Sequence, residues 1–223
     1  MNWKKNYRSF YYKHAEDPED ILLTKKETAH LIIDVQKTYL LPKNNNKENE
    51  EWDYFFNRMK NIVIPNIENL IKFSRDKKIE NIFARIACLK ENGTDRSLSQ
   101  KKPGFNYLLL PKNSEESQIV DEIKPTDDDI IILKTTDSAL TGTNLRLILS
   151  NMGIKNVICT GIFTDQCVSS TVRSLADESF NVIVVEDCCA AATENIHNNE
   201  LETINMIYCN VVSLKELKEM IID

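Results

Sequence analysis

Short apolar runs alternate with helical patterns along this chain. Six runs rich in isoleucine, valine and leucine occur at residues 29–34, 81–85, 129–134, 156–161, 181–187 and 209–213. These runs are nearly continuous and lack a polar residue at every second position, which is typical of parallel strands covered on both faces. We therefore predict six buried strands.

Between the runs, apolar residues recur at helical spacing. The stripes consist of Ile62, Ile67, Leu70, Ile71 and Phe73; Leu145, Ile148 and Leu149; Val168, Val172 and Leu175; Leu201, Ile204 and Ile207; and residues 214–222. Gly153 is well placed just after the C-terminus of one helix, and Thr164 is a good N-cap for the next. Strand–helix alternation repeated six times predicts an α/β domain, with a doubly wound, mostly parallel six-stranded sheet and helices on both faces.

We expect one domain over residues 1–223, with residues 1–27 as an N-terminal extension. Polar residues dominate the segment 42–51, which predicts a flexible surface loop. The loops at 40–53 and 89–110 are expected to set the specificity of any pocket.

The composition is ordinary for a globular protein, with 223 residues, 42% hydrophobic and 28% charged. The net charge of −6 provides no basic surface for nucleic acid. No apolar run approaches the ~20 residues of a membrane span, and residues 1–13 do not resemble a secretory signal. The six cysteines lack zinc-knuckle spacing. These features predict a cytoplasmic protein that binds neither nucleic acid nor membranes.

Reactive residues stand where the predicted strands end, which is where open α/β sheets bind ligands. They are Asp34, Arg85, Lys134, Cys167 (after the turn 161–166) and Asp187. An acid, a base and a thiol at one edge suggest a shared site. Charged residues also end strands simply because solvent begins there, so the pattern alone leaves both interpretations open.

Cys167 is the candidate nucleophile, although a cysteine near a helix start often only fills space. A position in the first helical turn, with Lys134 nearby, would lower the thiol pKa. Asp34 would accept the thiol proton and later protonate a leaving amine. Gly161 is the only glycine in the turn 161–166, so this turn is not the glycine-rich loop that binds dinucleotide phosphates.

Three segments carry a family resemblance. Residues 31–39 (LIIDVQKTY), 134–145 (KTTDSALTGTNL) and 161–171 (GIFTDQCVSST) resemble motifs of the isochorismatase-like hydrolases, in the same order. The resemblance extends over residues 28–214. It implies strand order 3-2-1-4-5-6, a catalytic triad of Asp34, Lys134 and Cys167, and a homo-oligomer.

The resemblance also implies supporting features around the triad. A cis peptide bond is expected between Ile162 and Phe163, with the N–H groups of Phe163 and Cys167 binding the oxyanion. The residues expected to contact the substrate are Tyr39, Arg85, Ser138 and Thr164. Tyr39 would pack on a planar substrate or merely fill the core.

The chain departs from the nicotinamidase-type members, which carry a histidine metal motif after the second strand. Residues 85–98 (RIACLKENGTDRSL) contain no histidine, and the chain has only His14, His30 and His197. We therefore expect no metal and no cofactor. His30 is expected to be a satisfied core residue, and His197 to lie near a subunit contact or a pocket rim.

Together these features predict an amidohydrolase that cleaves a carbon–nitrogen bond of a small amide or ureido substrate through a thioester-type intermediate. One alternative is an isochorismatase-type vinyl-ether hydrolase in which Cys167 is a bystander. Another is a non-catalytic flavodoxin-like binding module. The aromatic residues Trp3, Tyr7, Phe10, Tyr11 and Tyr12 look exposed, which favours a dimer or tetramer.

Overall fold

A computed structural model describes residues 3–42, 45–104 and 106–222. The central sheet contains β1 (Thr28–Ile33), β2 (Glu80–Ile86), β3 (Ile130–Lys134), β4 (Asn156–Ile162), β5 (Asn181–Ala190) and β6 (Asn210–Val212). All neighbouring strands run parallel, in the order β3-β2-β1-β4-β5-β6. The predicted fold class and the strand order 3-2-1-4-5-6 are confirmed.

Seven α-helices are assigned in the described residues, and they cover both faces of the sheet. They are α1 (Asn46–Glu51), α2 (Asp53–Arg58), α3 (Ile64–Lys77), α4 (Leu145–Asn151), α5 (Ser169–Asp177), α6 (Glu194–Ile204) and α7 (Leu214–Met220). π-Helical turns at Met59–Val63 and Thr164–Val168 lead into α3 and α5. No helix of the described residues is long and apolar enough to cross a membrane.

Two hydrophobic cores lie on opposite faces of the sheet. Helices α2, α3 and α7 bury their apolar side chains in one core, and α4, α5 and α6 bury theirs in the other. Successive residues of β1 alternate between them, because Ile32 belongs to the first core while Leu31 and Ile33 belong to the second. This double covering explains why the strands read as continuous apolar runs.

Three local predictions were wrong. The predicted loop 42–51 contains α1, which begins because the Asn45 side chain accepts a hydrogen bond from Glu48 N; Lys43 and Asn44 lie outside the described residues. Helix α6 ends at Ile204, which leaves Ile207 53% exposed beyond it. The last helix stops at Met220, because Ile221–Ile222 pair as a short parallel strand with Leu23–Thr24.

The N-terminal extension packs on the domain. Trp3 is only 2% exposed, and its backbone N–H donates to Glu216 Oε1 at 3.0 Å. The expectation that Trp3 is exposed was therefore wrong, because the ring is buried in the core that contains α7. Phe10 and Tyr11 are 85% and 87% exposed, as expected.

His30 is a buried core residue whose two ring nitrogens both have hydrogen-bond partners, as predicted. It is fully buried in β1, with Nδ1 3.0 Å from Asn81 Oδ1 and Nε2 3.0 Å from Thr160 Oγ1. Because the amide oxygen of Asn81 only accepts, Nδ1 carries the proton and Nε2 accepts from the Thr160 hydroxyl. Burial lowers the pKa of His30 to about 4, with the Asn81 contact opposing the shift.

Because His30 is neutral in the folded protein, we predict that the free energy of unfolding decreases as the pH falls. In the unfolded chain the imidazole titrates near its usual pKa of about 6.5. Below that pH the unfolded state therefore binds a proton that the folded state does not bind. Between pH 6.5 and about 4 this histidine lowers the free energy of unfolding by about 1.4 kcal/mol per pH unit as the pH falls. Urea titrations of His30→Gln should show a pH slope shallower by that amount. A slope equal to that of wild type would contradict the assignment.

Candidate active site

Asp34, Lys134 and Cys167 come together at the carboxyl edge of the sheet. Asp34 directly follows β1, Lys134 ends β3, and Cys167 lies in the turn after β4. Lys134 Nζ is 2.7 Å from Asp34 Oδ2, and the charges of both residues act on the pKa of the Cys167 thiol. Asp34 and Lys134 are each 1% exposed and Cys167 is 5% exposed, so the cluster is nearly closed to solvent.

The backbone of Asp34 is held in an unusual conformation. Its φ of 54° lies in the left-handed region, which costs a non-glycine residue about 1 kcal/mol. Asp34 N donates to Ala84 O at 2.9 Å, and Oδ1 accepts from Ile86 N at 3.0 Å. The buried Gln36 amide reinforces this arrangement, since it accepts from Ile86 N and donates to Ile86 O and Ser117 O. The end of β2 thus fixes the carboxylate.

The Lys134 ammonium is fully engaged. Besides the Asp34 carboxylate, it donates to Thr136 O at 3.1 Å and to Asp137 O at 2.9 Å. Two backbone carbonyls and a carboxylate oxygen thus surround the ammonium, which is the condition under which a lysine can remain charged in a buried position.

The turn after Lys134 is bonded to the helix that follows Cys167. Ala139 N donates to Thr171 Oγ1 at 3.0 Å, and this hydroxyl donates to Cys167 O at 2.7 Å. Ser138 Oγ donates to Ser174 Oγ at 2.9 Å. Ser138 is only 7% exposed, and these contacts assign it to the junction of the two segments.

Glycine is required where β4 approaches β1. Gly161 has a φ of 117°, and a Cβ there would lie 2.0 Å from Ile33 O. Since Ile33 precedes Asp34, this close approach brings the nucleophile turn against the carboxylate. The next peptide bond, between Ile162 and Phe163, is cis, at the position that the family resemblance implies.

Cys167 lies in a π-helical turn and not in the first turn of an α-helix. Phe163 O accepts from Gln166 N at 3.0 Å and from Val168 N at 3.2 Å. The expectation of Thr164 as the helix N-cap was wrong, because Phe163 occupies that position. A substrate contact of Thr164 stays a prediction. Its side chain is fully buried and lies 2.8 Å from His197 Nδ1.

A hydrogen-bonded network continues from Thr164 into the protein. Arg58 Nη2 lies 2.9 Å from His197 Nε2, and the same guanidinium donates to Cys189 O and Glu186 O. Because arginine only donates, Nε2 accepts, and Nδ1–H therefore donates to Thr164 Oγ1. Burial, and then the Arg58 charge, lower the pKa of His197 to about 3. His197 is 1% exposed, so the expectation of a pocket rim or subunit contact was wrong.

The electrostatics differ from the sequence-based expectation for Cys167. Burial, followed by the Asp34 charge, raises its pKa well above the usual range, and the Lys134 ammonium only partly opposes this. Burial also raises the pKa of Asp34, against the influence of Lys134 and Cys167. For Lys134 burial lowers the pKa, but Asp34 and Cys167 outweigh it and raise the value. The resting cluster is thus an ion pair beside a neutral thiol.

Aromatic rings lie beside the cluster. Phe163 contacts Tyr39, Trp52 and Phe55, with ring centroids 5.4, 5.9 and 5.1 Å apart. Burial, followed by the charges of Asp34 and Cys167, raises the pKa of Tyr39 well above its usual range. Tyr39 thus lies beside the triad, and Trp52 comes from the 40–53 segment.

The side chain of Arg85 turns to the loop before β3 and not to the triad. Its guanidinium donates to Ser117 O, Ser117 Oγ and Lys112 O, all at 3.0 Å. These contacts make it a support of the loop before β3, so the structure does not bring it to the triad.

Sequence reasoning assigned no role to several residues that shape the site. Gln36, Asp137 and Thr171 lay inside quoted motifs, and the types of Gln36 and Thr171 would have signalled buried hydrogen bonding, whereas Arg58 carried no signal. In the described part of the chain, no three His, Cys, Asp or Glu side chains lie where they could hold a metal ion.

Comparison with known proteins identifies the family of this chain. The isochorismatase domain model matches residues 28–216. An uncharacterised isochorismatase family protein of Escherichia coli O157:H7 is 38% identical over 96 residues, which are 43% of this chain and 50% of that protein. The ureidoacrylate amidohydrolase RutB of Agrobacterium fabrum is 26% identical over 76% of this chain and 78% of its own length. The crystal structure of N-carbamoylsarcosine amidase from Thermoplasma acidophilum superimposes with a TM-score of 0.66 at 20% identity, over 84% of this chain and 96% of that one. With the domain model covering most of its length, this chain belongs to the isochorismatase family of hydrolases.

Proposed function

We propose that this protein hydrolyses a carbon–nitrogen bond of a small amide or ureido substrate. Cys167 is the nucleophile, Asp34 the general base and Lys134 the electrostatic partner of both. The observation that carries the proposal is a buried thiol beside a carboxylate–ammonium pair at the carboxyl edge of the sheet. The names of two similar proteins, a ureidoacrylate amidohydrolase and an N-carbamoylsarcosine amidase, support carbon–nitrogen cleavage.

In the acylation step, Asp34 takes the thiol proton while the sulfur of Cys167 attacks the carbonyl carbon. The carbonyl electron pair moves to the oxygen, where the N–H groups of Phe163 and Cys167 bind it. When this pair returns, the carbon–nitrogen bond breaks and Asp34 gives its proton to the departing nitrogen. A thioester remains on Cys167.

In the deacylation step, Asp34 takes a proton from water, and the resulting hydroxide attacks the thioester carbon. The carbon–sulfur bond breaks, its electron pair stays on sulfur, and the proton on Asp34 returns to the thiol. The products are an acid and ammonia or an amine.

Charge balance explains why the proton stays within the cluster. A neutral thiol, a carboxylate and an ammonium sum to zero, and so do a thiolate, a carboxylic acid and an ammonium. Loss of the proton to water would instead leave a net charge in a buried site, which is costly. The high thiol pKa therefore suits a mechanism in which the thiolate exists only during attack.

The direct test is a substrate screen. Purified protein would be incubated with ureido compounds, simple amides including nicotinamide, biuret-like compounds and isochorismate, and release of ammonia or carboxylate measured. Turnover of an amide or a ureido compound is expected. Cleavage of isochorismate alone would replace the proposal by the vinyl-ether alternative.

Replacement of the nucleophile gives the first prediction. Cys167→Ala should abolish amide or ureido hydrolysis, because no other nucleophile lies in the cluster, while circular dichroism stays that of wild type. Mass spectrometry of the wild type during turnover should show an acyl adduct on Cys167. Activity of the alanine variant near the wild-type level would remove Cys167 from the mechanism.

Replacement of the lysine gives the second prediction. Lys134 lowers the pKa of Cys167, so Lys134→Met should slow alkylation of Cys167 by iodoacetamide and displace its pH profile upwards. Lys134→Arg should restore the pH profile in part, because the positive charge is kept. It should recover little turnover, because the planar guanidinium of arginine does not fit a site shaped for the compact ammonium of lysine. An alkylation profile of Lys134→Met that overlays wild type would show that Lys134 does not tune the thiol.

The Arg58–His197 network gives the third prediction, as a positioning device for the turn of Cys167. His197→Leu should lower kcat about tenfold or more with little change in KM, since a small displacement of the nucleophile weakens catalysis more than binding. His197→Gln should recover part of the loss, because its amide can both accept from Arg58 and donate to Thr164. His30→Leu is the matched control, an equally buried histidine whose loss should lower stability but spare kcat. Equal effects of the two leucine variants on kcat would reduce His197 to a structural role.

We also propose a homo-oligomer. Phe10 and Tyr11 are more than four-fifths exposed, and large apolar groups of this kind usually mark a contact surface. Light scattering at micromolar concentration should give a multiple of the 25.7 kDa chain mass. A mass equal to one chain would reject the oligomer.

A cytoplasmic location is proposed on the state of the cysteines. All six are free and buried, whereas disulfides are common in proteins that fold in oxidising compartments.

A further inference from the structure

We propose that the cavity between β2, β3 and the loop before β3 binds a small organic carboxylate, which the guanidinium of Arg85 holds. This site is separate from the triad, because none of Asp34, Lys134 and Cys167 lines the cavity. It does not depend on which bond the triad cleaves. It gives Arg85 a role beyond its contacts with the loop.

The charged end of Arg85 lies at this cavity. The cavity has a volume of about 520 Å³, within the range of roughly 300–1,000 Å³ that small-molecule sites occupy. Arg85 from β2 and Ile131 from β3 line it, together with Lys37 and residues of the loop 115–129. The guanidinium reaches this loop, since it donates to Ser117 O and Ser117 Oγ, and the nearby loop residues Glu115 and Gln118 line the cavity.

The positive charge of Arg85 is buried without an opposite charge beside it. The residue is 8% exposed, and its guanidinium forms no ion pair with any residue that the structure describes. Burial alone lowers the pKa of Arg85, with no contribution from a carboxylate. Because a buried cation without a counterion is unfavourable, this position favours an anionic ligand.

Two donors of the guanidinium remain for that ligand. Nη1 donates to Ser117, and one N–H of Nη2 donates to Lys112 O. In the described part of the chain, Nε–H and the second N–H of Nη2 therefore have no acceptor. Guanidinium groups bind carboxylates through two parallel hydrogen bonds, so the free donors match a carboxylate.

The carboxylates that line the cavity do not take this place. Three of them are paired with other cations: Glu115 and Asp121 with Lys37 Nζ at 2.5 and 2.9 Å, and Asp129 with Arg75 Nη2 at 2.7 Å. The fourth, Asp127, is exposed. Lys124 lines the same cavity, and among the described residues its ammonium forms no ion pair either. An incoming anion therefore meets two cations that no carboxylate of the chain occupies.

An apolar part of the wall favours an organic carboxylate over an inorganic anion. Ile119, Pro125 and Ile131 line the cavity, and Ile131 is 48% exposed, so its side chain is open to contact. A short hydrocarbon chain would be buried against these side chains, which stabilises the complex. Inorganic phosphate has no such group. Butyrate combines the carboxylate with a chain of suitable length.

The Nε–H resonance of Arg85 tests the site directly. In proton–nitrogen correlation spectra of the full-length protein, this resonance would be identified by its loss in Arg85→Lys. Titration with butyrate should shift it and saturate with a Kd on the order of 1 mM, as expected for one charge-assisted contact and a short apolar chain. Butanol, which is similar in length but uncharged, should leave it in place, and phosphate should bind about tenfold more weakly.

A carboxylate supplied by the chain itself should compete with butyrate. Ile131 lies two residues before Leu133, which pairs with Arg85 across the sheet, so Ile131 and Arg85 share one face as diagonal neighbours. Ile131→Glu should therefore pair with Arg85 and raise the Kd of butyrate about tenfold. Ile131→Gln is the matched control, because it has the same shape without the charge and should raise the Kd much less. Circular dichroism of both variants should stay that of wild type, since position 131 is half exposed.

Each outcome decides a part of the proposal. A saturable shift of the Arg85 resonance that persists in Ile131→Gln and disappears in Ile131→Glu supports the site. A resonance that butyrate does not move, or a Kd that is the same in the two variants, would overturn it. Phosphate binding as tight as that of butyrate would show that the ligand is not an organic carboxylate. Since no step requires turnover, failure of the proposed hydrolysis would leave these results unchanged.

Discussion

The ion pair between Asp34 and Lys134 is the contact on which the rest of the site depends. It joins the ends of β1 and β3, which are separated in the sheet by β2, and its two charged atoms lie 2.7 Å apart out of contact with solvent. A buried pair of this kind adds little net stability, whereas removal of one partner typically costs about 3–5 kcal/mol. Its presence is therefore better explained by chemistry than by folding.

The surrounding structure is arranged to keep this pair in place. Backbone carbonyls after β3 take the remaining lysine donors, and Ile86 N at the end of β2 takes the second carboxylate oxygen. Gly161 lets β4 come close enough for Cys167 to complete the cluster. Because the ends of three different strands supply Asp34, Lys134 and Cys167, the geometry of the site follows from the strand order of the sheet.

Much of this could be predicted from the sequence, and the failures have physical causes. Continuous apolar runs gave the parallel sheet, and three motifs at strand ends gave the family and the residues that meet there. Arg85 and Thr164 lie differently from what was expected because a position at a strand end does not reveal the direction of a side chain, and both side chains turn to buried hydrogen-bond partners. The thiol pKa was misjudged because helix position and charge are visible in a sequence, whereas burial, which dominates it, is not.

The central claim is that the ion pair faces a neutral thiol at rest, with the proton moving to Asp34 only during attack. The infrared S–H stretch reports this state directly, and the band of Cys167 can be isolated as the difference between wild type and Cys167→Ala. The account predicts that this band persists throughout the neutral pH range in the substrate-free protein. Its absence at neutral pH, together with a thiolate ultraviolet absorbance that Cys167→Ala removes, would contradict the account.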